Sequence, residues 1–281
     1  MRTPLSSRYW ADWTTADFGL AASMGVLEQT IAVLPVAATE QHGPHLPLRV
    51  DSALVDGIVH ASIAHLSPAV HALFLPTQSI GLSPEHGSFA GTLTLKAETV
   101  IRLWTDIAES VAASGVKKLV LFNSHGGQAG LLDVVARDLR SRLGMLVFSV
   151  NWYGLPLESE LGDDVNTLFS DHEHRFGIHA GDIETSMMLA IAPEQVDMTQ
   201  AANFASTAQD RARNCPILGN GKSAKLAWQM QDYNAQGAVG NAAAATAEKG
   251  AAVVGAAARA LARMLAEIHQ LPKDTLRPAV R

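Results

Sequence analysis

An alternation constrains this chain more than any other feature. Four short runs of β-branched and aliphatic residues, Ile31–Val36, Val70–Leu75, Lys118–Phe122 and Met145–Val150, read as buried strands. Between them, Asp51–Leu66, Ala97–Ser114 and Gln128–Leu143 carry apolar residues at helical spacing. Strand then helix, repeated, is the sequence form of right-handed βαβ units. The expected fold class is therefore α/β, with a mostly parallel central sheet covered on both faces. A further helix is expected over Ala180–Ala192, stopped by Pro193.

Two later stretches need separate treatment. Gly250–Ile268 is Ala-rich, but Arg259, Arg263 and Glu267 interrupt it, and it lacks the roughly 20 apolar residues of a membrane span. It reads as a packed helix in close approach to another element, with a second subunit as one option. Met198–Val239 is irregular and rich in Asn, Gln and Gly, as expected of a surface excursion over the active site or at a subunit contact. No fixed-period repeat or Pro/Ser-rich linker divides the chain, so residues 1–281 are expected to form one domain.

Charge and cysteine usage narrow the function. The formal net charge is −6 and no Lys/Arg cluster is present, which argues against a nucleic-acid partner. The one cysteine, Cys215, allows no intrachain disulfide and no four-thiolate zinc site, and it suits a cytoplasmic protein. Met1–Phe18 lacks the apolar core of a signal peptide.

The densest polar cluster follows the first strand: Thr39-Glu40-Gln41-His42-Gly43-Pro44-His45, then on to Asp51. Parallel sheets bind ligands at the carboxyl ends of their strands, where this loop begins. Glu40 and His42 are two apart and point the same way in an extended segment. Carboxylate, imidazole and carboxylate together suit zinc, manganese or iron(II). The plain alternative makes Asp51 a helix cap and the other two ordinary loop residues. A second cluster, Asn123-Ser124-His125-Gly126-Gly127-Gln128, follows another apolar strand at the same edge. A third, His179-Ala180-Gly181-Asp182-Ile183-Glu184, can aim His179 and Glu184 at one site only if His179 precedes the helix. A fourth, Ser83-Pro84-Glu85-His86, adds polar groups near that edge.

Two other matches are decoys. Gly219–Ser223 lacks the upstream glycine of a phosphate-binding loop, and His172-Glu173-His174 lacks the second histidine of a zinc-protease helix, so His172 and His174 are expected at the surface.

Taken together, these motifs resemble the creatininase family. The match runs from Leu34-Pro35-Val36 through the Thr39–Pro47 run to Asp51. It resumes at Ser83…Glu85-His86…Gly91-Thr92, at Asn123…His125-Gly126-Gly127, at His179–Ser186, and near Gly237…Glu248-Lys249-Gly250. The resemblance implies a three-layer α/β/α fold, a homo-oligomer that is commonly a hexamer, and two divalent metals (Zn, Mn or Fe) per subunit. It implies Glu40 and His125 on one metal, His42 on the other, and Asp51 bridging them. In creatininase the remaining ligand is a glutamate at the place of Gly127, so Glu184 is the expected substitute. His179 is expected to transfer a proton, and Ser83, Glu85, His86 and Asp182 are candidate contacts to a small-molecule substrate. Gly126, Arg175 and Phe176 stand where creatininase has its Tyr, Trp and Asp, so creatinine is not the expected substrate. The expected reaction is metal-dependent hydrolysis of a cyclic amide, formamide or related C–N bond. Ring opening of a carbocyclic ketone and trimming of a peptide are the alternatives within the family. A non-catalytic metal-binding scaffold is the alternative outside it.

Overall fold

The structure, a computed structural model, describes residues 7–277, so the first six residues of the stretch expected not to be a signal peptide lie outside it. The strands are β1 (Ile31–Val36), β2 (Ala72–Phe74), β3 (Lys118–Asn123) and β4 (Leu146–Asn151). They form one parallel sheet in the order β2-β1-β3-β4, with Ile31 level with Ala72 and Lys118, and Lys118 level with Leu146. Every residue of β1 is buried, as a central parallel strand covered on both faces requires. The expected Val70–Leu75 strand shortens to β2 because β1 pairs with it only from Ile31 to Val33.

Side-chain alternation divides the core in two. Ile31, Val33, Val120 and Phe122 face α2 (Val50–Ser62), while Ala32, Leu34, Leu119 and Leu121 face α1 (Thr15–Ser23), α3 (Ala97–Ala113) and α4 (Ala129–Leu143). Helix α2 connects β1 to β2 on one face, whereas α3 and α4 step from β2 to β3 to β4 on the other. The chain thus reverses direction across the sheet between β1 and β3. That reversal opens a crevice outside their carboxyl ends, where open α/β sheets bind ligands.

The later elements are α5 (Asp171–Phe176), α6 (Asp182–Ile191), β5 (Asn203–Phe204), α7 (Ala208–Asn214), α8 (Met230–Tyr233), β6 (Gly240–Asn241) and α9 (Ala247–Gln270). Of these, α6 and α9 close the α2 face. The Ala-rich stretch is α9, and the close approach expected for it is to α6 of the same chain. An ideal Cβ built on Gly250 would lie 1.8 Å from the Ser186 carbonyl oxygen, so the two backbones touch there. Helix α6 starts two residues later than expected because Ala180 holds a left-handed φ of 54°. No helix among the described residues is long and apolar enough to cross a membrane.

Candidate metal centre

Local structure explains how each loop presents its side chain. Asn123 clasps the following turn, with its Nδ2 donating to the His125 carbonyl at 2.6 Å and its Oδ1 accepting from the His125 N–H at 3.1 Å. Ser124 Oγ donates to the Asp51 carbonyl at 2.7 Å, tying that turn to the start of α2. Asp51 is not the cap of α2: Arg49 holds that position, and the Asp51 carboxylate, in the first turn, points into the crevice. His179 lies before α6, in a bridge with Val239, so it and Glu184 do reach one place.

The four clusters meet there. His125 Nδ1 lies 3.2 Å from Glu40 Oε1 and 3.4 Å from Asp51 Oδ2. His42 Nε2 lies 3.7 Å from Asp51 Oδ1, 3.9 Å from Glu184 Oε2 and 4.0 Å from Glu40 Oε1. One carboxylate therefore turns its two oxygens to two different histidines. Each ring is fixed by its other nitrogen. His42 Nδ1 donates to the Glu40 carbonyl at 3.0 Å, and His125 Nε2 donates to the Leu82 carbonyl at 3.0 Å. Backbone carbonyls that fix the rings in this way leave the inward nitrogens, once the rings are neutral, as lone pairs, as metal-ligating histidines require.

The fit to a metal rests on orphaned atoms. His42 Nε2 and Asp51 Oδ2 are buried and have no hydrogen-bond partner, a costly arrangement unless a cation satisfies them. Ligand atoms of Glu40, Asp51 and His125 lie within 4.8 Å of one another, as do those of His42, His179 and Glu184. Nitrogen and carboxylate oxygen together suit zinc, manganese or iron.

Electrostatics record the same crowding. Burial pulls the His42 pKa down, but the facing carboxylates of Asp51, Glu184 and Glu40 outweigh it and raise it to about 9. His125 is raised in the same way by Glu40, Asp51 and Glu85 against its burial. Burial would raise Asp51, yet His125 and His42 lower it to about 2. Burial raises Glu184 to about 7, with Asp51 and Glu40 adding to the effect. His179 is held well below its usual value by burial and by His42 and His86 beside it.

The remaining candidates divide. Glu85 and His86 line a cavity of about 660 Å³ in front of the cluster. Ser83 does not line it; its hydroxyl donates to Glu40 Oε2 and so fixes a candidate ligand. Asp182 is turned away as well, because Lys249 Nζ meets both its oxygens at 2.6 Å. Neither fits the substrate contact expected of it. His172 and His174 are exposed, but Glu173 between them is buried. Its carboxylate accepts from the Asp182 N–H at 2.6 Å and the Asn241 N–H at 2.8 Å, which holds the loop bearing His179. Sequence reasoning missed Glu173, and its place in a rejected motif gave no signal. The excursion reaches the site too: Lys225–Trp228 border the cavity.

Gly127 explains an absence. A Cβ there would lie 1.6 Å from Glu85 Oε1 and 2.5 Å from His125 Nε2. The Glu85 carboxylate occupies the space a side chain at 127 would need, and lies 3.3 Å from His125 Nε2. Gly127→Ala is therefore expected to displace Glu85 and weaken zinc affinity by roughly 10–100-fold, the usual cost of losing a carboxylate behind a ligating histidine. Its melting temperature should fall only modestly, because Glu85 Oε1 ends a flexible side chain, although the His125 ring must shift as well. Zinc titration against a competing chelator measures the first effect, and unchanged affinity would count against the role of Glu85.

The family model described as Creatininase: Creatinine amidohydrolase matches residues 19–265. The chain belongs to the creatininase family. A mycofactocin precursor peptide peptidase of Mycobacterium ulcerans is 33% identical over 186 residues, 63% of this chain and 65% of that protein. The chain thus spans under two thirds of the length of the peptidases it matches. A 3-dehydro-scyllo-inosose hydrolase of Thermotoga maritima is 24% identical over 268 residues, 89% of this chain and 81% of that one. Among solved structures, a manganese creatininase superimposes with a TM-score of 0.71 at 23% identity, covering 95% of this chain and all of the other, which supports the shared fold.

Proposed function

We propose that this chain is a hydrolase, a metal-dependent amidohydrolase that cleaves a C–N bond with water at a pair of divalent cations. The observation that carries the reading is the Asp51 carboxylate, one oxygen toward His42 and the other toward His125. Glu40, Asp51 and His125 would hold one cation; His42 and Glu184 the other, with Asp51 shared. Cations bound there lower the pKa of water and polarise a carbonyl oxygen.

The chain's own groups do the rest. His179 Nε2 donates to the Gln41 carbonyl at 2.7 Å, which leaves Nδ1 as a base facing the cluster. It is neutral, so its Nδ1 lone pair can take a proton from the attacking water, and we assign to it the delivery of that proton to the leaving nitrogen. The Ala180 N–H donates to Glu184 Oε2 at 2.6 Å and fixes that side chain. Trp228 and Trp152 wall the cavity and limit water around the reacting groups.

The substrate is a cyclic amide, formamide or related compound with a C–N bond, and not creatinine. Arg175, at one of the creatinine-binding positions, is exposed and donates to the Gly219 carbonyl at 3.1 Å. A second reading, trimming of a peptide end, is favoured by the size of the cavity and by the exposed apolar Ile178, Leu226 and Tyr153 on its wall. The peptidase relatives support the same option. The proposal includes a cytoplasmic homo-oligomer, a hexamer by family resemblance. In the edge strand β4, Phe148 and Val150 are only half-buried, as a subunit contact would leave them.

Metal content by elemental mass spectrometry, on protein purified without chelator, tests the reading. About two equivalents of zinc, manganese or iron are expected. Loading the stripped protein at pH 7.5 should release protons, because His42, with a pKa of about 9, must lose its own to become a ligand. Affinity should therefore rise with pH up to about 9. A panel of cyclic amides, formamides, short peptides and oxidised inositols then separates the substrates. No metal uptake would move the non-catalytic scaffold to the front.

A further inference from the structure

The cluster contains one histidine that the metal assignment leaves without a role. His86 is buried, lines the cavity, and packs its ring 4.2 Å from that of His179, with Trp228 edge-on at 6.1 Å. Gln41 decides where its proton sits. Two backbone groups orient the Gln41 amide: Oε1 accepts from the Gly43 N–H at 2.9 Å, and Nε2 donates to the Gly237 carbonyl at 2.8 Å. Exchanging oxygen and nitrogen would set like against like at both contacts. The second hydrogen on Nε2 is therefore left for His86 Nδ1, 2.7 Å away, and that nitrogen must accept it. An imidazole that accepts at Nδ1 carries its proton on Nε2.

That Nε2–H is 3.5 Å from Glu40 Oε1, at the cavity wall. His179 is the opposite case. Its Nε2–H is engaged with the Gln41 carbonyl, so its inward Nδ1 is a lone pair. The 3.3 Å approach of Gln41 Nε2 to His179 Nε2 is one donor beside another and adds no bond. The two adjacent, mutually tilted rings thus present one donor and one acceptor to the same space. Ligand atoms of Glu40, His86 and His179 do lie within 4.8 Å of one another. To ligate there, His86 would have to move its proton to Nδ1, facing the Gln41 N–H donor to donor.

We propose that His86 is a hydrogen-bond donor to the oxygen of the substrate's reacting carbonyl, and not a metal ligand, with Gln41 as the positioning residue that fixes its tautomer. The proposal rests on the amidohydrolase reading above. As the water oxygen bonds to the amide carbon, one of its protons passes to the Nδ1 lone pair of His179, and the carbonyl oxygen becomes anionic and accepts the Nε2–H bond. The C–N bond then breaks, and its electron pair leaves with the nitrogen, which takes the proton from His179. His86 keeps its own proton throughout, so its contribution is stabilisation of charge where the charge develops.

The test uses zinc-loaded protein with ¹⁵N-labelled histidine, the variants His86→Ala and His86→Gln, and acetohydroxamate as the carbonyl-bearing probe. The ring-nitrogen spectrum should show the His86 proton on Nε2. His86→Ala should keep the wild-type zinc content yet bind acetohydroxamate about tenfold more weakly, the equivalent of one hydrogen bond. His86→Gln, whose amide can donate toward the same space, should recover part of that loss. A proton on Nδ1, a zinc equivalent lost with His86→Ala, or unchanged acetohydroxamate affinity would each overturn the proposal. If the wild-type protein takes up no zinc, the amidohydrolase reading fails, while the spectrum of the metal-free protein still decides the tautomer.

Discussion

Asp51→Asn should cost the protein bound metal and activity together. The side chain keeps its shape, but one of the two oxygens becomes an NH2 group that donates and cannot ligate. That group would face either His42 or His125, whose inward nitrogens are the neighbours of the two Asp51 oxygens. The loss of zinc affinity should exceed the roughly 10–100-fold typical of removing a group one layer further out. Elemental mass spectrometry should find at least one equivalent missing, and turnover of whichever panel substrate the wild type accepts should fall in parallel. Full occupancy with full activity in this variant would falsify the bridging role. Retained metal with lost turnover would reassign Asp51 from holding the cations to orienting the water.

Gly250→Ala should be the costliest single methyl group that can be added to α9. Its Cβ would sit 1.8 Å from the Ser186 carbonyl oxygen and 2.7 Å from the Met187 nitrogen, both backbone atoms that no rotamer change can move. Helices α6 and α9 would have to separate, at a cost of about 3 kcal/mol or more. For a chain of this length that corresponds to a fall in melting temperature of about 6 °C or more. Gly130→Ala on α4 is the control: its added methyl meets nothing within 4 Å, so helix propensity should make it slightly stabilising. Thermal unfolding of the two variants side by side reads the difference. Equal melting temperatures would mean that the α6–α9 contact is not as close as described. Because α6 carries Glu184, the damaged variant should also bind its second cation more weakly.

The strands were legible because a parallel strand buried on both faces needs an unbroken apolar run, and β1 and β3 are such runs. The bounds of β2 were not, since an edge strand ends where its neighbour stops pairing. The start of α6 was misjudged for a similar reason. Nothing in the composition of Ala180 announces its left-handed turn, which follows the bridge between His179 and Val239. Within the site, the loop from Glu40 to Asp51 displayed its chemistry openly, because carboxylates and an imidazole at the end of an apolar strand have little packing use. Ser83 and Asp182 looked equally eligible in sequence. Their directions separate them from the cavity: Ser83 turns to Glu40, and Asp182 to Lys249, two partners distant along the chain. Gln41 and Glu173 went unread because each is held by backbone groups distant along the chain, and backbone groups leave no mark in a sequence.

By itself, the sequence determined the periodicities and the inventory of chemistry. Alternating strand and helix patterns required a parallel α/β sheet, and three of the candidate ligands lay within the short stretch from the end of β1 to the first turn of α2. Both follow from local rules, since each depends on residues within a few positions of one another. Only the tertiary structure decided that β1 and β3 are neighbours, which brings Glu40 within 3.2 Å of His125, and that α6 delivers Glu184 to His42. It alone decided which nitrogen of each histidine faces inward. That choice belongs to carbonyls and an amide set by long-range packing, whose partners the local pattern does not encode.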